Sequence, residues 1–302
     1  MLEDKSLVFR LISLLFFMLG FGLLLELVAF GLVHIIYGVS PAELSIENAL
    51  SSGGVNIRNV FRMLQFFLIT GMFVVGPAVF VSMTKSSNLF AIGNRTSVDL
   101  RLALAVMLGI LAFGWMVEGI VRLNLLAFDA LLPSNWYDYL IHQSQDSAAQ
   151  MAVFLTSESI LEDVFTVIII AFVPALAEEF LFRGVLQEEF KRSLNVQTSI
   201  FITALLFGLT HWQGLNFIGL VCFGWLLGWI KQTSQSLWFP ILAHFTNNLF
   251  VLIQVRGSEM PIEDALNVNS ITPLWQYALA IGLFIFATTL YFRRLRGLES
   301  NF

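Results

Sequence analysis

The chain has 302 residues, of which 57 % are hydrophobic and 12 % charged, whereas soluble domains contain about 25 % charged residues. With a mean hydropathy of +0.81, it has too little polar surface to cover the two water-soluble domains that its length would suggest. The net charge of −5 argues against nucleic-acid binding, and the single cysteine, Cys222, excludes a disulfide scaffold. Composition therefore predicts a polytopic membrane protein.

About eight membrane-spanning helices are predicted, which makes the fold an all-α transmembrane bundle. Helices satisfy every backbone polar group within lipid and need roughly 20 apolar residues to cross it. In chain order the segments are 11–36, 63–84, 102–126, one from Val164 through Ala177, two within 193–230, 237–255 and 273–292. The fifth and sixth separate at Gln213–Asn216, where polar residues and a glycine interrupt the apolar run. The first is too long for a signal peptide and is expected to be retained.

One long polar connection divides the chain, at about 133–163. Pro133 predicts a break in the helical structure there. The stretch from Ser147 to Val164 predicts an amphipathic helix that lies on the bilayer surface. The connection separates an N-terminal membrane part, 1–150, with about three helices and no assigned role, from a C-terminal part, 151–302, with about five helices.

Lysine and arginine are unevenly distributed between the two sides of the membrane. With eight spans both termini share one side, and of the 16 basic residues eleven fall there, four fall on the opposite side, and one, Arg183, lies within the fourth segment. The four on the opposite side are Arg58, Arg62, Arg122 and Arg256. Because basic loops stay in the cytoplasm, both termini are predicted to be cytoplasmic, with the acidic loops 133–163 and 257–272 outside.

Several ionisable residues fall within predicted spans, where each costs roughly 2.5–3.5 kcal/mol and is a functional candidate by default. Glu179 and Arg183 are four residues apart, so they share a helix face and are expected to form an ion pair. Glu178 is rotated by about 100° from Glu179 and has no cation four residues on, which leaves it as a candidate general base. The ionisable residues of the N-terminal spans are interpreted as partnered structural groups or interface residues: Glu26, His34, Glu118 and Arg122.

Two more pairs with a four-residue spacing lie in the fifth and seventh segments. His244 and Asn248 present an imidazole and a carboxamide to the same side, where both groups can donate hydrogen bonds to an oxyanion. Phe207 and His211 place an apolar wall beside a second imidazole. Asn247 is interpreted as a packing residue. The three segments together supply the groups needed to activate water against a carbonyl.

In these motifs the sequence resembles the CAAX prenyl endopeptidases of the type II class and their bacterial relatives, the CPBP intramembrane proteases. The signatures of that family are Glu-Glu-x-x-x-Arg, Phe-x-x-x-His and His-x-x-x-Asn on separate transmembrane helices. The chain has all three in order, as Glu178-Glu179-x-x-x-Arg183, Phe207-x-x-x-His211 and His244-x-x-x-Asn248. The resemblance covers roughly 160–255.

The resemblance implies a glutamate-dependent intramembrane endopeptidase whose catalytic core is 151–302. The residues implied to act are Glu178 and His211 for activating water, His244 and Asn248 for stabilising the oxyanion, and Glu179 and Arg183 for holding the helix or contacting the substrate. The implied partners are a peptide or protein substrate, which is expected to be membrane-anchored, and the lipid bilayer. The implied location is a bacterial inner membrane. The sequence indicates no oligomeric state.

Three other interpretations stay open beside this one. We expect no cofactor, because no His-Glu-x-x-His motif is present, but a zinc-dependent version of the same protease would use the same residue types. A proton-coupled transporter would also place carboxylates and imidazoles within spans, although no internal repeat is visible. A catalytically idle scaffold is disfavoured because every motif position is intact. No serine or cysteine in the motifs has a matched base, so a covalent intermediate is not expected.

Overall fold

The computed structural model describes residues 2, 4–51, 55–84, 99–258 and 274–299. Within these ranges the regular structure is helical and contains no β-strand, so the predicted all-α class is confirmed. The helices are, in chain order, α1 (Leu7–Tyr37), α2 (Ile46–Leu50), α3 (Asn56–Met83), α4 (Leu100–Leu131), α5 (Ser134–Leu155), α6 (Ile160–Lys191), α7 (Val196–Thr210), α8 (Phe217–Ser234), α9 (Trp238–Gly257) and α10 (Leu274–Glu299).

Six of the described helices are long and apolar enough to cross a membrane, namely α1, α3, α4, α6, α9 and α10. They coincide with six of the predicted segments, and by length and composition they make the chain an integral multi-pass membrane protein. The predicted fifth and sixth segments are α7 and α8, of 15 and 18 residues, and they are separated at 211–216 as expected. The count of eight spans stays a prediction.

The connection before α6 folds differently from the prediction. The bounds of the predicted helix over 147–164 are wrong, because α5 ends before 156–159, which is not helical, and α6 begins at Ile160. The Ser159 hydroxyl caps α6 by accepting a hydrogen bond from the Glu162 N–H at 3.2 Å. Hydroxyl side chains favour such caps over helix interiors, which apolar periodicity does not reveal.

The structure tests the predicted break at Pro133 but describes only the first two residues of the predicted outer loop 257–272. The break at Pro133 is confirmed, because one helix ends at Leu131 and the next begins at Ser134. The predicted outer loop 257–272 lies outside the described residues from its third residue onward, as do two residues of the charge count, Lys85 and Arg95.

The chain forms two compact units that interleave along the sequence. The first unit consists of Met1–Ala91 and Ala148–Ser199, and the second of Ile92–Ser147 and Ile200–Phe302. Each unit therefore draws on both the N-terminal part, 1–150, and the C-terminal part, 151–302. The functional division at residue 150 stays a prediction.

In the first unit, α1 packs along α3. Two glycines of α3 face the backbone of α1: a methyl group at Gly76 would lie 2.6 Å from the carbonyl oxygen of Phe17, and one at Gly71 would also overlap that backbone. The two glycines are five positions apart. The π-helical turn Thr70–Val75, which contains Gly71 and ends just before Gly76, places both on the face of α3 that contacts α1. Small residues at such contacts let membrane helices approach closely.

In the second unit, α4 packs along α10. The contact is close because Gly109 faces Ala287 and Gly119 faces the ring of Tyr277, at 3.5 Å and 3.1 Å from the position that a glycine methyl group would take. The absence of side chains at these two positions therefore lets the two long helices run side by side.

An ion pair joins α4 and α10 at the ends of these helices that are predicted to face the cytoplasm. Asp99 caps α4 by accepting a hydrogen bond from the Leu102 N–H at 2.9 Å, and Nε of Arg294 on α10 donates to the same carboxylate oxygen at 3.0 Å. The second oxygen accepts from Arg294 Nη2. The Arg294 guanidinium holds the pKa of Asp99 at about 2, below its ordinary value. The carboxylate is thus charged throughout the physiological range.

The prediction for the ionisable residues of the N-terminal part is confirmed for the Glu118–Arg122 pair and for His34 near a helix end, and not for Glu26, whose Oε2 is buried without a hydrogen-bond partner among the described residues. Arg122 Nη2 lies 3.7 Å from Glu118 Oε1, which makes them an ion pair one turn apart on α4. Glu26 is half-buried in the middle of α1, and His34 is exposed in its last turn. None of these four belongs to the motifs.

Candidate active site

The Glu-Glu-x-x-x-Arg motif lies on α6, in the first unit. Arg183 Nη1 donates to Glu179 Oε1 at 2.7 Å, and both side chains are 0 % exposed, which confirms the predicted ion pair. Glu178 is half-buried. The two neighbouring carboxylates therefore have different surroundings: a buried, paired Glu179 is suited to holding the helix, and a partly accessible Glu178 is suited to meeting a substrate.

The motif helix α6 departs from regular α-helix on both sides of the two glutamates. Two π-helical turns, Val167–Phe172 and Phe180–Leu186, flank the α-helical stretch Val173–Glu179. Pro174 has no N–H to donate to the preceding turn, which accounts for the first of them. The second begins directly after the second glutamate and contains the arginine of the motif. Such turns inside α-helices are frequent at functional sites.

The second motif lies at the end of α7, in the second unit. His211 Nδ1 is 2.7 Å from the carbonyl oxygen of Phe207, one helical turn earlier. Since a carbonyl oxygen only accepts hydrogen bonds, Nδ1 carries a proton, and the neutral imidazole then holds its lone pair on Nε2. This is the tautomer in which His211 offers Nε2 as a base.

Trp212, which follows this histidine, has a left-handed backbone with a φ of 53°. Its N–H donates to the carbonyl oxygen of Leu209 at 3.2 Å, which closes a turn at the end of α7. A residue with a side chain rarely adopts this conformation, and glycine would adopt it more easily. The sequence does not mark this position, because a tryptophan there predicts an interface residue rather than a turn.

The ring of Phe207 brings the two histidines of the motifs together. Its centroid lies 4.4 Å from that of His211 and 5.9 Å from that of His244. His244 is only 4 % exposed, and its ring also meets Phe223 of α8 edge to face, at 5.4 Å. The phenylalanine of the motif is thus the packing partner of both imidazoles.

Two residues of α8 complete this packing and were not predicted. Phe223 contacts both Phe207, at 6.1 Å between centroids, and His244. Gly224 lets α8 approach α7, because a methyl group there would lie 3.2 Å from Ala204 Cα and from Phe207 Cδ1. Neither residue is conspicuous in a sequence with 30 phenylalanines and 21 glycines.

The third motif lies on α9, where His244 and Asn248 are one turn apart. Asn247 Nδ2 donates to Asn248 Oδ1 at 3.4 Å, a long hydrogen bond. The interpretation of Asn247 as a packing residue is therefore incomplete, since its amide contacts the neighbouring motif residue. With its oxygen accepting, the Asn248 carboxamide has its NH₂ group as the donor that an oxyanion would need.

The contacts within each unit join two pairs of predicted site residues. These are Glu179 with Arg183 directly, and His211 with His244 through Phe207. Glu178 adjoins the first pair on α6, and Asn248 shares α9 with His244. In the part of the chain that the structure describes, no group of three or more His, Cys, Asp or Glu side chains is placed to hold a metal ion.

Comparison with known proteins agrees with the motifs. Residues 160–250 match the family described as "Type II CAAX prenyl endopeptidase Rce1-like". A Bacillus subtilis (strain 168) protein, YpbD, described as uncharacterized, is 29 % identical over 151 residues, which cover 49 % of this chain and 69 % of the Bacillus protein. No solved structure matches the chain.

All three motifs lie inside the matched stretch, which runs from the start of α6 into α9. The match supports a protease of the CAAX type that acts within the membrane. The resemblance inferred from the motifs is confirmed over this stretch: residues 160–250 are similar to the type II CAAX prenyl endopeptidase Rce1-like family.

Proposed function

We propose that the protein is an intramembrane endopeptidase of the glutamic type, in which Glu178 and His211 activate a water molecule. The observation that carries the proposal is the division between the adjacent carboxylates of the motif. Glu179 is fully buried and paired with Arg183, whereas Glu178 is partly accessible. A carboxylate that is already committed to a buried guanidinium is a poor base, and a neighbouring carboxylate that is only half-buried is a better candidate.

The proposed reaction is a hydrolysis without a covalent intermediate. The Glu178 carboxylate takes a proton from water while the water oxygen attacks the carbonyl carbon of the peptide bond. The proton then passes to the amide nitrogen as the carbon–nitrogen bond breaks, leaving a carboxylate and an amine. His211 is proposed to accept a hydrogen bond from the same water through Nε2, in keeping with the proton on its Nδ1.

His244 and Asn248 are proposed to stabilise the tetrahedral intermediate. Each can donate a hydrogen bond to the negative oxygen that forms when water adds to the carbonyl. The rings of Phe207 and Phe223 hold the imidazole of His244 in place. An orientation fixed before the reaction is what makes such donors effective, because no reorganisation is then needed as charge develops.

Two further parts of the proposal concern cofactor and surroundings. We propose that the reaction needs no metal, because the motifs supply a base and oxyanion donors from side chains alone; a zinc-dependent version is the competing mechanism. We propose a membrane-anchored peptide or protein as substrate. We also propose a bacterial inner membrane as the location, with both termini in the cytoplasm.

The test uses the purified full-length chain in lipid nanodiscs with two internally quenched peptides. Both end in a Cys-aliphatic-aliphatic-x sequence, and only one carries a farnesyl group on the cysteine. Cleavage sites are read by mass spectrometry. We expect Glu178→Gln and His211→Ala to lower kcat by about 10²–10⁴-fold.

Matched controls replace the same residue types elsewhere. Glu188→Gln removes a carboxylate of α6 that pairs with Lys191 at 3.2 Å, and His142→Ala removes an exposed histidine; both should retain cleavage. Cleavage that survives Glu178→Gln would refute the assignment of the base. Cleavage that a chelator abolishes and zinc restores would refute the metal-free mechanism while leaving the peptidase intact.

A further inference from the structure

The start of the motif helix is tied to α3 by a buried cluster of charges. Arg62 Nη1 donates to Glu162 Oε1 at 2.9 Å, and Arg58 Nε lies 3.6 Å from the same oxygen. Arg58 and Arg62 are 0 % and 3 % exposed. Arg62 also donates to the carbonyl oxygens of Phe154 and Thr156, just before α6. Two arginines of one helix thus fix where another helix begins.

The end of the motif helix is tied to α1 in the same way. Arg10 Nε donates to Glu189 Oε2 at 2.7 Å, and Glu189 is 0 % exposed. The other carboxylate oxygen lies 3.0 Å from Arg192 Nη1. Arg10 in turn donates to the carbonyl oxygen of Lys5 at 2.6 Å. In both ties, the arginine that contacts α6 belongs to a helix of the N-terminal part.

The two ties enclose the catalytic motif. Glu162 and Glu189 are 27 positions apart (189 − 162), about 40 Å along a helix, and the two glutamates of the motif lie between them. In the middle, the ring of Phe73 on α3 meets that of Phe182 edge to face at 6.3 Å. The motif helix is therefore held at both ends by ion pairs and between them by aromatic packing.

Charge pairs of this kind are unusual inside a membrane protein unless they have a role. Burying a guanidinium and a carboxylate has a high desolvation cost, and apolar side chains of similar size would pack as well or better. What an ion pair adds is a defined geometry, since its energy depends on specific atoms meeting. The family match begins at residue 160, so it includes both glutamates but none of the partner arginines on α1 and α3.

We propose that α1 and α3 form a brace that positions the motif helix, with Arg10 and Arg62 as positioning residues for the proposed hydrolysis. The inference rests on the proposed function for its effect on activity, while the brace itself is a property of the first unit. It assigns a role to helices outside the matched stretch. A small displacement of a base relative to its substrate lowers rates by as much as about 10²-fold.

The test removes each tie without leaving a carboxylate alone. In Arg10→Met, Glu189 retains Arg192, and in Arg62→Met, Glu162 retains Arg58. We expect each variant to lower kcat by about 10- to 100-fold with KM within about twofold, whereas Arg10→Lys, which keeps the charge, recovers part of the loss. Should one methionine variant fail to fold, the other and Arg10→Lys carry the test.

A matched control breaks an ion pair in the second unit. Asp99→Asn removes the charge that Arg294 binds and should leave kcat unchanged. A lower yield of folded protein with unchanged kcat in Arg10→Met and Arg62→Met would overturn the positioning role, because that is the result of a purely structural contact.

A second measurement reports on the brace without any substrate. The single cysteine, Cys222, is replaced by serine, and spin labels are attached at Ile35 on α1 and at Leu194 after α6, both exposed. We expect a narrow distance distribution that broadens in Arg10→Met and not in Asp99→Asn. An unchanged distribution in Arg10→Met would overturn the brace. If the unmodified chain cleaves no peptide, the proposed function fails, and the distance measurement still decides whether the brace exists.

Discussion

The two units hold their share of the proposed catalytic residues by different means. In the first unit, charge fixes the motif: Arg183 neutralises Glu179, and further arginines tie both ends of α6. In the second unit, aromatic rings hold both imidazoles, with Phe207 between them. Ion pairs demand specific partners and leave an expensive buried charge when one is lost. Aromatic packing loses only contact area and orientation when a ring is changed.

The contrast between ion pairs and aromatic packing predicts whether a substitution in each unit lowers mainly the stability of the fold or mainly the catalytic rate. Losing the charge of Glu179 in the first unit should damage the fold, because its partner Arg183 is fully buried. Losing a ring in the second unit should damage catalysis more than the fold, because the imidazoles stay in an apolar setting but lose their orientation. A first-unit variant that lost only activity, or a second-unit variant that lost only stability, would contradict this contrast.

The largest effect on stability is expected for Glu179→Gln. The substitution removes the charge that pairs with the fully buried Arg183, and breaking such a pair costs about 3–5 kcal/mol. Glu178→Gln, one residue away and half-buried, should unfold at nearly the wild-type denaturant concentration. The measurement is unfolding in mixed micelles followed by tryptophan fluorescence. Equal stabilities of the two variants would remove the distinction between the carboxylates.

Local patterns in the sequence were enough to predict the contacts that lie within one helix. The spacing of Glu179 and Arg183 predicts their ion pair, and the spacing of Phe207 and His211 predicts their contact, because residues four apart on a helix are neighbours. The helix break at Pro133 also follows from a local signal. Each of these predictions depends on a few consecutive residues.

Contacts between distant parts of the chain could not be predicted in this way. Arg62 meets Glu162 across 100 positions, and Arg10 meets Glu189 across 179. The charge count placed Arg62 among the basic residues of the outer side, since local sequence does not show that it is buried and paired. The interruption before Ile160 was missed for a different reason: its signal is local, but it is a serine cap, which the apolar periodicity of the sequence does not show.

A smaller effect, on activity, is expected for Phe207→Leu. Leucine keeps most of the apolar volume, so we expect a loss of stability of about 1 kcal/mol, whereas both imidazoles lose the ring that orients them and kcat should fall about tenfold. The matched control is Phe113→Leu, because Phe113 contacts Phe223 and Phe284 but is not packed against either histidine. An equal fall in kcat in both variants would show that general packing, not orientation, is what matters.

The smallest effect is expected at the Asp99–Arg294 pair, and it depends on pH. Because its pKa is lowered to about 2 in the folded protein, from about 3.9 in an unfolded chain, the charge of Asp99 stabilises the fold above pH ~4, and this contribution is lost as the pH falls toward 2. Asp99→Asn keeps a side chain that can cap α4 but removes the charge.

The melting temperatures of the two proteins should therefore differ most near neutral pH and converge between pH ~4 and ~2. Thermal unfolding in detergent at a series of pH values measures this difference. A difference that persists at pH 2 would assign the effect to the helix cap rather than to the ion pair. Since this pair lies in the second unit and outside the motifs, convergence with unchanged kcat at neutral pH would also show that an ion pair can stabilise the fold without positioning the catalytic groups. That outcome is what the first unit, with its motif helix tied at both ends, is expected not to show.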